Sequence, residues 1–373
     1  MADTALSSVP GSTRSPQVAA STAVGGATAM PATTTATSVT PPNSAASAQL
    51  TRQIPLTCSG HTRPVVQLQF STLMHNSGYL LISACKDGMP QLRDGITGDW
   101  LGTFLGHKGA VWCARLSRDA FRAVTASADF SAKLWDTYSG AELLSFSHRH
   151  IVRSADFINE SHIVTGGSEK VLRIFDLSQA GRGSNQCDAP ALELEGHQGA
   201  IRHVCWDQAR SVILSSGEDR NICVWDLRTP TPVHTFTTDE PIASMDLSGD
   251  GSYLTCTAGN SVKVWDAQSR QLVKSFTMPY EVSSVAIHPQ HQTFVTGGRS
   301  DLWVRVYDFE SGKEIELYKG HHGPVHAVNY SPDGEVYATG SEDGTIRLWQ
   351  TTPGKTYGLW QTRKPKDDTL YYR

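Results

Sequence analysis

Along this chain, apolar and polar residues alternate in short runs, each closed by an aromatic residue: AKLWD (132–136), RIFD (173–176), ICVWD (222–226), VKVWD (262–266), VRVYD (304–308) and IRLWQ (346–350). Alternation puts successive side chains on opposite faces of a strand, so each run predicts a short β-strand. Turn sequences such as SGDG (248–251) and SPDG (331–334) punctuate the runs. Many short, evenly spaced strands predict an all-β repeat fold.

A second marker sets the period. Gly-His stands at Gly60-His61, Gly106-His107, Gly196-His197 and Gly320-His321, with degenerate equivalents at Ser147-His148, Thr237-Thr238 and Thr277-Met278. The second positions are spaced by 46, 41, 49, 41, 40 and 43 residues, which matches the roughly 40 to 45 residues of a four-stranded propeller blade. Six residues before the closing position lies an acid in six units: Asp87, Asp129, Glu169, Asp219, Asp301 and Asp343. Gly259 breaks that series in the fifth unit, and the first unit carries Arg93-Asp94 where the others carry an aromatic. The expected fold is therefore a seven-bladed propeller over residues 51–360.

A ring with free ends would leave its first and last blades unzipped. RQIPLTC (52–58) precedes the first Gly-His and can complete the last blade, while GKTYGLW (354–360) follows Trp349 as a fourth strand would. The sequence leaves both possibilities open.

Outside the repeats, residues 1–50 are dominated by Ala, Ser, Thr, Pro and Gly, lack aromatic residues, and hold one acid (Asp3) and one base (Arg14). Such a segment cannot bury enough apolar surface to offset its ordering entropy, so a disordered tail is expected. A transit peptide needs several arginines, and Arg14 stands alone. Residues 361–373 form a second short tail.

Charge and cysteine content narrow the class. The formal net charge of −4 lacks the bulk footprint of a dedicated nucleic-acid binder. Seven scattered cysteines form no C-x-x-C pair and fit reduced thiols in the cytoplasm or nucleus. No apolar run approaches the length of a membrane span.

His321, Ser341 and Asp343 invite a hydrolase reading. A nucleophile, however, needs one exposed oxygen, an oriented base and an oxyanion site, and a degraded copy in every unit is the mark of architecture. The pairs and triplets His148-Arg149-His150, His288/His291 and His321-His322 lack a cysteine partner or H-E-x-x-H spacing, so no metal is expected. No G-x-x-x-x-G-K-[ST] loop occurs; GRGS (181–184) reads as a solvated loop in the longest interval. No enzymatic activity and no cofactor are expected. Lys133, Arg173, Lys263, Arg305 and Arg347 recur at one position of the third strand and read as stems packed between sheets with their charged heads at an edge.

The Gly-His and Trp-Asp markers at this period resemble the WD40 repeat family. That resemblance implies a buried hydrogen-bonded tetrad of His, turn acid, strand hydroxyl and Trp in each complete blade. The residues assigned to it are His107, Ser127, Asp129 and Trp135; His197, Asp219 and Trp225; and His321, Ser341, Asp343 and Trp349. It further implies a partner-binding top rim, here mapped to Lys86, Trp112, Arg153, Arg202, Glu218, Glu281, His326 and Glu342. Trp and Arg are the residue types most often found at binding hot spots.

TCSGHTRPVV (57–66), LISACKDG (81–88), GDWLGTFLGHKGAVW (98–112), HIVRSADF (150–157) and GSEDGTIRLWQTTPGKTYGLW (340–360) look like a WD40 subfamily of kinase-receptor-associated adaptors. That likeness implies a non-enzymatic scaffold of the survival-of-motor-neuron (SMN) complex, which loads Sm proteins onto spliceosomal small nuclear RNAs. Gemin and Sm proteins would be its partners, with RNA contacted indirectly and the protein a monomer within the larger assembly. The alternative is the WD40 subunit i of translation initiation factor three, which shares the GHKGAVW-like and GSAD-like strings.

Overall fold

The computed structural model describes residues 53–74, 78–179, 186–187 and 189–352. The expected tails at 1–50 and 361–373, the GRGS loop and GKTYGLW lie outside the described residues.

The described chain forms seven sheets, each with four antiparallel strands: six draw these from a single stretch of chain, the seventh takes its outer strand from the N-terminal side, and Gln186–Cys187 adds a two-residue parallel edge to the second. Their innermost strands are Val65–Phe70, Val111–Leu116, Val152–Asn159, Ile201–Asp207, Ile242–Leu247, Val282–Ile287 and Val325–Tyr330. Each innermost strand packs against the next, and the seventh packs against the first, so the sheets close into a seven-bladed ring. The expectation from the repeat period is met, and full closure removes the exposed edge that an open array would carry.

Closure is made by the N-terminal strand. Leu56–Cys58 pairs antiparallel with Ile346–Gln350, in the register Leu56↔Leu348, Thr57↔Arg347 and Cys58↔Ile346. Gln53 adds a bond from Nε2 to the Gln350 carbonyl at 2.8 Å. Of the two strands the sequence offered, RQIPLTC therefore supplies the outer edge of the last blade.

The hydrophobic core is distributed between blades. Ile82, Ala84 and Leu92 of the first sheet pack with Val111, Ala114 and Trp135 of the second. Ala286, Val295 and Val304 of the sixth pack with Val325, Tyr337 and Trp349 of the seventh. Trp135, Trp225 and Trp349 are completely buried, which is why the closing aromatic of the alternating runs is so regular.

Around the central channel, polar side chains of one innermost strand take up backbone N–H groups of the next. Gln67 and Gln69 accept from Ala114 and Leu116, both at 2.7 Å. Ser154 and Asp156 accept from Val204 at 3.0 Å and Trp206 at 2.9 Å. Asn329 accepts from Phe70 at 3.0 Å across the closure. These bonds satisfy donors that face a neighbouring sheet rather than a ladder partner.

Candidate functional site

Two kinds of polar constellation stand at the end of the ring that carries the Gly-His loops, here called the top. One is buried and repeated; the other lines the mouth of the channel.

The repeated constellation is complete in the second, fourth and seventh blades. His107 Nδ1 meets Asp129 at 2.7 Å and its Nε2 meets Thr125 Oγ1 at 2.7 Å, while Trp135 donates its indole N–H to the same hydroxyl at 2.8 Å. His197, Asp219, Ser215 and Trp225 repeat this at 2.9, 2.7 and 2.8 Å. His321, Asp343, Thr339 and Trp349 repeat it at 3.2, 2.7 and 2.9 Å. A carboxylate only accepts, so the imidazole Nδ1–H donates to it.

The strand hydroxyl differs from the sequence assignment. Thr125 and Thr339, not Ser127 and Ser341, bond the imidazole and the indole. Ser341 donates to the Gly323 carbonyl at 2.9 Å, and Ser127 accepts the N–H of Asp129 at 3.2 Å. Residues two apart on a strand share a face, so both hydroxyls point toward the same layer and only depth along the strand separates them. Ser215 and Ser83, the hydroxyls of the fourth and first blades, were missed for the same reason. The usable signal is a Ser or Thr ten residues before the closing position: 83/93, 125/135, 215/225 and 339/349.

The turn acid ties two loops together. Asp129 accepts the N–H of Lys108 at 2.9 Å from the Gly-His loop and that of Ser131 at 3.1 Å from its own turn. Asp343 does the same with His322 and Thr345, both at 2.8 Å. The residue between acid and second donor adopts a left-handed backbone, with φ of 66° at Phe130 and 75° at Gly344. Burial pushes the Asp343 carboxyl up, but the bonds from His321 and His322 outweigh it and hold it below the usual carboxylate range.

Incomplete blades rebuild the anchor with other residues. In the first, His61 meets Asp87 at 2.9 Å and Ser83 at 2.8 Å, while Arg93 in the aromatic position bonds Gln91 Oε1 at 2.8 Å and the Gly98 carbonyl at 3.0 Å. In the third, His148 donates from Nδ1 to the Phe146 carbonyl at 3.1 Å and accepts at Nε2 from Thr165 at 2.9 Å. In the sixth, Tyr280 takes the place of histidine, its hydroxyl 2.6 Å from Thr296 and 2.9 Å from the Tyr307 hydroxyl.

His61, Cys85 and Asp87 bring three potential metal-ligand atoms within 4.8 Å of one another. Those atoms are engaged: the imidazole and carboxylate bond each other, and Cys85 takes the N–H of Asp87 at 3.4 Å and points to the Arg63 carbonyl at 3.0 Å. Burial pushes the Cys85 thiol up to about 12, which opposes the thiolate a metal would require. Among the other histidines, His288 bonds the Gly334 carbonyl at 3.1 Å. Four of the five third-strand bases pair at the blade edge, Lys133 with Glu142 at 2.7 Å, Arg173 with Glu169 at 2.6 Å, Lys263 with Asp239 at 2.8 Å and Arg305 with Asp301 at 2.7 Å, whereas Arg347 makes no ion pair among the described residues.

The second constellation is the channel mouth. A cavity of about 240 Å³ is lined by Lys86, Trp112, Arg153, Arg202 and His326 from the sequence-mapped rim, together with Arg115, His203 and Arg299. The Arg153 guanidinium lies 4.3 Å from the Trp112 ring centroid and the Lys86 ammonium 5.6 Å from it. Arg202 pairs with Glu218 at 2.9 Å, Arg299 with Glu281 at 2.8 Å, and His326 with Glu342. All eight mapped rim residues thus take part in contacts around one opening.

Below the mouth, charges cross the channel. Arg115 of the second blade lies 3.7 Å from Asp246 of the fifth, and Asn329 of the seventh reaches the same carboxylate at 3.3 Å. Burial raises the Asp246 carboxyl, with Arg115 opposing the shift. Burial also depresses His203 to about 4, against the acceptor carbonyl of Ala243 at 2.9 Å.

Comparison with known proteins bears on both constellations. The family model for the WD domain, G-beta repeat, matches residues 98–136, 189–226, 230–266, 270–308 and 312–350. The two units it passes over end at Arg93 and Phe175, where the indole is replaced. Serine-threonine kinase receptor-associated protein from Homo sapiens is 49% identical over 319 residues, covering 85% of this chain and 88% of that protein. The Dictyostelium discoideum protein of the same name is 49% identical over 298 residues, covering 79% of this chain and 98% of its own. Eukaryotic translation initiation factor 3 subunit I from Culex quinquefasciatus is 30% identical over 318 residues, covering 79% of this chain and 95% of its own.

Proposed function

The chain belongs to the WD-repeat, G-beta-repeat family, and from that premise we propose that it is an adaptor of the SMN complex in spliceosomal small-nuclear-RNP assembly. A WD40 scaffold works by holding loops rigidly for partners, and this ring has the parts for it. The tetrads fix the top loops, and the rim presents aromatic and charged groups around one mouth. The repeated His–Asp pairs serve that rigidity rather than chemistry.

The observation that carries the reading is the 49% identity to serine-threonine kinase receptor-associated protein across most of both chains. The initiation-factor subunit, at 30%, is not favoured. The strings that exceed generic blade needs, ACKDG and GKTYGLW, support the same side. In this reading Gemin and Sm proteins are the partners, RNA is reached through them, and the protein works in cytoplasm and nucleus as a single ring within a larger assembly. Association with a serine-threonine kinase receptor, the property in the relative's name, is a further role of the same surface.

Affinity capture of tagged protein from native extract, with and without nuclease, followed by mass spectrometry, tests this. Gemin and Sm proteins retained after nuclease are the expected result. Enrichment of initiation-factor-three subunits instead would overturn it.

A further inference from the structure

We propose that the mouth of the channel docks an acidic, carboxylate-bearing peptide segment of a partner protein, anchored by Lys86 and Arg153 beside Trp112. The inference rests on the rim being the docking face and adds the chemistry of what docks there.

Lys86, Arg115, Arg153, Arg202 and Arg299 all stand on the wall of this cavity, and no carboxylate does. This concentration is local, since the whole chain carries a net charge of −4. Arg202, Arg299 and Arg115 are compensated by Glu218, Glu281 and Asp246 set outside or below the mouth. Among the described residues, Lys86 and Arg153 have no ion pair; their contact is the ring of Trp112. Arg153 is half-withdrawn from water and sits beside the like charge of Arg202, both of which disfavour its cation, with Glu218, already paired to Arg202, opposing them. A carboxylate arriving between Lys86 and Arg153 would relieve that cost with charge-assisted hydrogen bonds.

Size and shape choose among anions. A cavity of about 240 Å³ admits one or two side chains. A single-stranded nucleic acid would call for open aromatic faces on which bases stack, whereas Trp112 is half-buried and has both cations on its ring. An extended peptide inserting Glu or Asp fits this mouth.

The test is fluorescence anisotropy with the full-length chain and four labelled probes: an Asp/Glu-rich peptide, its Asn/Gln isostere, a Lys-rich peptide and a single-stranded RNA. The acidic peptide is expected to bind at least about tenfold tighter than its isostere, about 1.4 kcal/mol, and to weaken as salt rises. Lys86→Gln, a change at a partly exposed side chain that leaves the fold intact, should weaken it severalfold. Lys86→Glu with Arg153→Glu should transfer preference to the Lys-rich peptide. Equal binding of acidic peptide and isostere, or RNA binding tighter than the acidic peptide, would overturn the inference. Gemin and Sm capture without peptide discrimination would leave the adaptor reading standing and remove this one. Peptide discrimination without such capture would do the reverse.

Discussion

Trp349 donates its indole N–H to the Thr339 hydroxyl at 2.9 Å, ten residues earlier in the chain. The same hydroxyl meets His321 Nε2 at 2.7 Å, so one oxygen joins the third strand of the blade to the loop that enters it. Because Trp349 and Thr339 are completely buried, neither group has water to fall back on.

Thr339→Val should therefore destabilise the ring by about 1–3 kcal/mol, the cost of leaving buried polar groups unpaired. Asp343→Ala should act similarly by releasing His321 and the N–H groups of His322 and Thr345. Ser341→Ala should cost less, since it removes the bond to the Gly323 carbonyl and the long one from the Asp343 N–H but leaves the His–Thr–Trp chain whole. Chemical denaturation of the three variants checks the order; a Ser341→Ala loss larger than that of Thr339→Val would contradict it.

Acid should unfold the ring in two stages. Burial holds His148 at about 4 in the fold, with the Phe146 carbonyl opposing, against about 6.5 in an unfolded chain. A depressed histidine favours the neutral form, so its stabilising contribution is full above pH 6.5 and is lost as pH falls toward 4. Asp87 is pushed up by burial but held at about 2 by His61 and the N–H of Met89. Its contribution is full above about pH 4 and is lost as pH falls through 2. Melting temperature against pH should decline from 6.5, then steepen below 4, and His148→Gln should make the first decline shallower, with His203, also depressed to about 4, contributing to what remains. An unchanged upper limb in that variant would count against the assignment.

Removing residues 1–50 should leave the melting temperature nearly unchanged, because the closing strand begins at Leu56. Removing residues 1–58 takes away the edge paired with Ile346–Gln350 and should lower and broaden the transition. Differential scanning calorimetry of the two truncations distinguishes them; equal melting of both would show that Leu56–Cys58 is dispensable for closure.

Much of this architecture was legible because it repeats. Seven returns of a Gly-His or its substitute gave blade number and order, and Trp135, Trp225 and Trp349 marked the buried end of the third strand in the three blades with complete tetrads. Repetition also separated tetrad from catalytic site. What repetition could not resolve was depth along a strand: Ser127 and Thr125 share a face, and only three-dimensional reach decides between them. It also failed where a blade substitutes one polar group for another. The degenerate marker pointed to Met278, yet the anchoring group is the Tyr280 hydroxyl, two residues on. The competition between RQIPLTC and GKTYGLW was likewise undecidable, since both are strand-like and only pairing with Leu348 shows which one closes the ring. Within the rim, the ion pairs Arg202–Glu218, Arg299–Glu281 and His326–Glu342 each fall inside one repeat, whereas the stacking of Arg153 on Trp112 joins side chains from two blades and leaves no mark in any single repeat.

The most direct measurement of the central claim, that the top rim is where partners dock, is quantitative capture from native extract by the wild type and by Trp112→Ala combined with Arg202→Glu. With the variant's melting temperature close to that of the wild type, the account predicts loss of most Gemin and Sm signal. Full capture by the folded variant would contradict it and move the docking surface to the blade edges.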